Sequence, residues 1–411
     1  MAKQRIQNDQ WNDRLLDQMR EAADPVADQL IAELVSQDQL REVNFAIRQI
    51  VANLDQPPSN LHPEVARYFE ETAALPAFAD HSKIKIAQRI YQLYSMEIGL
   101  LLMYASLPAC YAARKGAQVL MLTERMAKQK EAYNRLAETG QFVWDVMSPG
   151  GFEPTGKAIR SAQKVRLVHA VVRHHIAKAD QKDSIWEDDW GVPINQEDEV
   201  GTLLAFSYYV IEGLQKIGIK LSQEEIDAFF HLWRVVGIIL GIEPALIPEN
   251  YASATQLAEA IATRHFEESL EGKALTRVIL NMLEESVSRE RFKKMPHVTM
   301  RYLLGDEVAD ILGVDPPDWT AGLVKVRFAF LELGDGLRHS NQMPVRLFGQ
   351  LGREVIGRVN YGLMSGMVSM QQAGLGSQFE LPSTLRLTRA LGPMQTAMLQ
   401  AGEATLNRMR S

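Results

Sequence analysis

The chain has 411 residues, 46% hydrophobic and 23% charged, with a formal net charge of −7. That balance is ordinary for a soluble globular protein of one large or two moderate domains, and no Lys/Arg-rich run offers a phosphate-tracking surface, which argues against nucleic acid as a partner. One cysteine, Cys110, excludes an intrachain disulfide framework and any cysteine-cluster metal site.

The first ten residues are polar and lack the apolar core of a secretory signal, so a cytoplasmic protein is expected. Helical spacing then runs to residue 55, through Ile31, Leu34 and Val35 and on through Leu40, Val43, Ile47 and Ile50. Asp24-Pro25 starts a helix with proline just inside the cap. Pro57-Pro58-Ser59-Asn60 is a break, and residues 61–80 hold two short helices bounded by Pro76. From His81 to Cys110 the chain is apolar and helical, turning at Leu107-Pro108. Its most apolar run, Ile98 to Leu107, is too short to cross a membrane and predicts a buried helix. Tyr111 to Glu138 continues as helix, softened at Gly116, and Thr139 to Met147 forms another. Ser148-Pro149-Gly150-Gly151 stops it.

A helix follows over about 156–179, and then a polar loop with Trp186 and Trp190. Further helices are predicted over 196–213, from Leu221 through Val236, and as a pair within 253–290. Beyond the break at Pro316-Pro317-Asp318-Trp319 come Ala321 to Gly334 and Val345 to Met370. Alternating strand patterns are scarce. The expected fold is all-α, a single multi-helix domain of about fourteen helices. It divides into an N-terminal helical extension (1–80), a helical core (81–315) and a C-terminal segment packed on it (316–411).

The most informative stretch is Lys164-Val-Arg-Leu-Val-His-Ala-Val-Val-Arg173. Arg166, His169 and Arg173 sit at i, i+3 and i+7, on one helical face. One imidazole between two guanidinium groups in an apolar helix is costly to bury unless something anionic or metallic meets it. A haem would do so, with iron for His169 and propionates for the arginines. A core histidine satisfied by a carbonyl, with each arginine paired to an acid, accounts for the same residues. Arg135, Glu138 and Thr139 also share a face. They read as one wall of a pocket, or as a surface ion pair with Thr139 as a cap. The remaining histidines show no ligand pattern. Glu-x-x-His, His-Glu-x-x-His, Gly-x-Ser-x-Gly and Walker-type phosphate motifs are absent. Asp188-Asp189 reads as solvated or capping.

In order along the chain, these stretches resemble the MpaB-like oxygenases, the family that includes the rubber oxygenases. The matching residues are Leu107-Pro-Ala-Cys-Tyr-Ala112, Arg135-x-x-x-Thr139, Phe142-Val-x-Asp-Val-Met147, Arg166-x-x-His169-x-x-x-Arg173, Trp190-Gly-Val-Pro-Ile-Asn-Gln-Glu-Asp198, Gly201-Thr202 and His231-Leu-Trp-Arg-Val-Val-Gly237. The similarity covers about residues 90–255. It implies a globin-like helical core holding one haem b, with His169 as the proximal iron ligand and Arg166 and Arg173 beside it. It places Arg135 and Thr139 on the distal side and Thr202 near the haem. It implies an oxygenase that cleaves isoprenoid double bonds with dioxygen.

At Glu138 the chain departs from the rubber oxygenase branch, which has a lysine there. Glu138 and Glu124 are candidate bases. The missing signal favours a small isoprenoid or lipid-like olefin over polymeric rubber. Met96, Leu101, Leu102 and Met103 are the expected lining of its channel. A non-catalytic haem sensor or carrier is the alternative reading.

Overall fold

The computed structural model describes residues 10–123, 129–340 and 342–375; Glu124 and residues 376–411 lie outside them. Among the described residues there are eighteen α-helices and no β-strand. They are α1 (Asp13–Arg20), α2 (Pro25–Ser36), α3 (Leu40–Ile47), α4 (Pro63–Glu71), α5 (His81–Leu101), α6 (Leu107–Ala112), α7 (Arg114–Leu122), α8 (Gln129–Met147) and α9 (Ala158–Asp183). Then come α10 (Gln196–Phe206), α11 (Tyr208–Lys216), α12 (Gln223–Ile239), α13 (Tyr251–His265), α14 (Leu270–Glu285), α15 (Met295–Leu304), α16 (Asp306–Ile311), α17 (Thr320–Arg338) and α18 (Met343–Leu375).

Helix α9 joins two cores. Ala158, Ile159 and Ala162 in its first turns pack with Tyr91, Phe142 and Phe229 in the largest cluster. Leu167, Val171 and Ile176 pack against Ile31, Leu34, Val65 and Phe69 of α2 and α4. Each such side chain contributes about 1.5–3 kcal/mol by leaving water. Residues 10–80 are thereby fastened along α9. Helix α2 begins as its sequence predicts, with the Asp24 carboxylate accepting from the Ala27 amide and Pro25 in the first turn.

Three sequence-based breaks are not breaks. Leu107-Pro108 does not turn the chain. A π-helical segment, Leu102–Ser106, carries α5 into α6, and Pro108 follows directly on it, where the change of hydrogen-bond register accommodates its lacking N–H. Gly116 lies inside α7. A Cβ there would stand 3.4 Å from the Asp198 carboxylate, so the glycine serves the close approach of α10. Helix α8 runs through Glu138-Thr139 without interruption. The stretch His81–Ala112 is long and apolar enough to cross a membrane. In this fold Tyr91, Tyr94, Ile98 and Leu101 bury its apolar side in the main core.

Candidate active site

Helices α6 to α10 and α13 enclose a cavity of about 250 Å³ with a mostly apolar wall. Arg135, Glu138 and Thr139 of α8, His169 of α9 and Thr202 of α10 all line it. Five residues from three separate stretches of sequence are thus brought to one place. Thr139 is not a cap, because α8 continues to Met147, and Arg135, Glu138 and Thr139 all lie on the cavity wall.

His169 is the best-defined of these. Its Nδ1 lies 3.2 Å from Oε1 of Glu199, in the first turn of α10. The carboxylate is buried, at 5% exposure, and the imidazole is 23% exposed. A carboxylate against Nδ1 holds the proton there and leaves Nε2 as the unprotonated nitrogen, able to ligate a metal. Glu199 is the orienting acceptor that no sequence spacing pointed to.

Arg166 and Arg173 do not line the cavity. Arg166 makes a two-pronged pair with Asp24, Nη2 donating to Oδ1 at 2.7 Å and Nε to Oδ2, and Nη1 reaches the Ile239 carbonyl at 3.5 Å. Arg173 donates through Nε to Asp28 at 2.8 Å, and through Nη1 to the Ile194 carbonyl at 3.0 Å and Glu199 at 3.4 Å. Both guanidinium groups, expected to meet an anionic cofactor, meet protein acids here, Asp24 at the N-cap of α2 and Asp28 within it, and they fix α9 and Glu199 in position. Met96, Leu101, Leu102 and Met103 are likewise not part of the wall. Leu107, Cys110 and Tyr111, further along the same stretch, line it instead.

The hydroxyl protons of the two threonines are already engaged. Thr139 donates to the Arg135 carbonyl at 3.0 Å and Thr202 to the Asp198 carbonyl at 2.9 Å. Each therefore offers lone pairs rather than a proton to a cavity ligand in this rotamer.

Glu197, Asp198 and His265 line the cavity as well. His265 Nε2 is 2.9 Å from Glu197 Oε1, Arg264 Nε donates to the same oxygen at 2.8 Å, and Arg20 Nη1 donates to Glu197 and Asp198, both at 3.1 Å. Burial alone would raise the Glu197 pKa. The hydrogen bonds and charge of His265 and Arg264 overcome that and lower it to about 2. Burial keeps Asp198 above the usual carboxylate range despite Arg20. Burial, reinforced by the Asp198 charge, pushes the Cys110 thiol up to about 12, so Cys110 stays protonated and unreactive near neutrality.

The depressed Glu197 pKa makes a pH prediction. Such a carboxylate contributes stability above its ordinary value of 4.5, and that contribution is lost as pH falls towards about 2. Glu197→Gln is expected to melt well below the parent at pH 7, with the gap narrowing below pH 4.5. A gap unchanged down to pH 3 would contradict the assignment.

Other histidines have structural partners. His62 caps α4, His231 accepts from the Asp80 amide at 2.9 Å, and His297 pairs with Glu284 at 2.6 Å. Asp189 pairs with Lys115 at 3.4 Å, and no metal-holding cluster of three or more acids, histidines or cysteines occurs among the described residues.

Residues 87–331 match the family model described as "ER-bound oxygenase mpaB/B'/Rubber oxygenase, catalytic domain", a span that contains every wall of the cavity. Helical fold and match together define an oxygenase. The chain belongs to the MpaB and rubber oxygenase family. A rubber oxygenase from Streptomyces sp. (strain K30) is 24% identical over 294 residues, covering 71% of this chain and 70% of that protein. The solved structure of latex clearing protein LCP in the closed state shares the fold, with a TM-score of 0.70 and 22% identity over 83% of this chain and 91% of that one.

Proposed function

We propose that the protein is a haem b-dependent oxygenase acting with dioxygen on an apolar olefin, of isoprenoid or lipid-like type. The observation that carries this reading is a cavity histidine, His169, whose Nδ1 is held by Glu199 while Nε2 is left for a metal. The residues present would fit haem, with His169 supplying one imidazole nitrogen to its iron and an apolar wall around it. When bound, haem iron would supply the site at which dioxygen is activated.

The chain's own residues define what surrounds that chemistry. Glu199 fixes the ring and raises its basicity. Arg135 brings a guanidinium to the wall and can stabilise negative charge developing on an oxygen atom, an effect worth roughly 2.7–4 kcal/mol per preorganised donor in other enzymes. Glu138 offers a carboxylate that can accept a proton from an allylic carbon. Leu107, Leu120, Leu136, Phe142, Leu203 and Phe206 exclude water and accept a hydrocarbon chain.

Oxygen uptake and carbonyl products with a panel of isoprenoid olefins test the reading. Haem-loaded protein that consumes no oxygen with any of them would favour the sensor or carrier reading. Glu199→Gln is expected to weaken haem affinity by about 10–100-fold, as loss of a histidine-orienting carboxylate does elsewhere. Haem titration measures it, and an unchanged affinity would remove Glu199 from the site.

A further inference from the structure

Helix α17 is apolar on two opposite faces. Val324 and Phe328 are buried against the protein, while Leu323, Val326, Phe330, Leu333 and Leu337 are 36–69% exposed. A helix that is hydrophobic on both sides is built to be covered on both. The exposed five follow one another at intervals of 3, 4, 3 and 4 residues, the spacing of a seam that meets another helix.

A second observation points the same way. Gly322, Gly334 and Gly336 flank this seam inside α17, and a Cβ at any of them would have nothing within 4 Å. Glycine weakens a helix interior, and no neighbour among the described residues needs the space. A helix approaching from outside would. Helix α18, which packs beside α17, exposes six further large apolar side chains, Leu347 and Leu351 among them. Together these eleven side chains expose roughly 1,000 Å², against the ~800 Å² that each partner buries in a stable interface.

We infer that the exposed face of α17 and α18 binds the same face of a second copy of this chain, with the two α17 seams packed together about a twofold axis. An isologous contact lets one self-complementary patch serve both partners and closes without leaving a free apolar surface. The seam is remote in sequence from every cavity-lining residue, so the inference stands apart from the oxygenase reading.

Light scattering on the full chain tests it. The expected mass is twice that of the 46.2 kDa chain, and Phe330→Glu combined with Leu333→Glu is expected to halve it with helicity by circular dichroism unchanged. A single Leu333→Cys is expected to cross-link two chains under mild oxidation, since the native cysteine is half-buried on the cavity wall. A full chain that is monomeric at tens of micromolar overturns the inference, whether or not it then binds vesicles. So does a dimer that survives the double substitution, or a Leu333→Cys dimer that fails to cross-link.

Discussion

Haem-loaded His169→Ala is expected to lose its Soret band, while the parent keeps haem through gel filtration. The side chain is the cavity imidazole whose Nδ1 is held by a buried carboxylate and whose other nitrogen is left for a ligand. His265, the second imidazole on the wall, has its Nε2 directed at Glu197 and a buried Nδ1 with no hydrogen-bond partner among the described residues, and His265→Ala is the control, expected to keep the Soret band. The 23% exposure of His169 makes its truncation mild for the fold, on the order of 1 kcal/mol. Loss of haem is thus separable from loss of structure by far-UV circular dichroism. Imidazole added in solution is expected to restore part of the absorption. Unchanged haem content in His169→Ala would refute the assignment.

The largest stability effect is expected at Asp24. Its carboxylate is buried and takes two hydrogen bonds from Arg166, which is itself buried. Asp24→Ala leaves an uncompensated guanidinium in the interior, at a cost of about 3–5 kcal/mol. It also removes the cap of α2, worth about 0.5–2 kcal/mol. Adding Arg166→Met is expected to recover much of the first loss, because the stranded charge goes with it. Urea denaturation of the two variants measures this. If Asp24→Ala were neutral while Arg166→Met alone weakened haem binding, Arg166 would be a cofactor residue after all.

That exchange of roles marks the limit of what helical spacing conveys. Arg166, His169 and Arg173 do share a face, but at 100° per residue the face spans about 60°. Sixty degrees suffices for α2 to cover the arginines while the cavity opens at the histidine. Periodicity places residues on a helix and does not say which neighbour each sector meets. The all-α fold and the grouping of Arg135, Glu138, Thr139, His169 and Thr202 were legible from apolar spacing and from the ordered motifs. Glu199 was not. It lies thirty residues beyond His169 in an acidic first turn, where carboxylates suit the helix dipole without any further role. His265 was missed for a similar reason, since its partner Glu197 is remote in sequence. Gly116 shows the converse error. Glycine reads locally as a breaker, whereas here packing decides, and α7 continues through it.

Glu197 and Glu199 stand two positions apart on α10, hence about 200° apart around its axis. One braces His265 and the other braces His169. Both braces therefore ride on one helix, so a rigid displacement of α10 resets the two rings together. Arg20 and Arg264 clamp the Glu197 side, and Arg173 clamps the Glu199 side, which ties the settings of both imidazoles to the same three guanidinium groups.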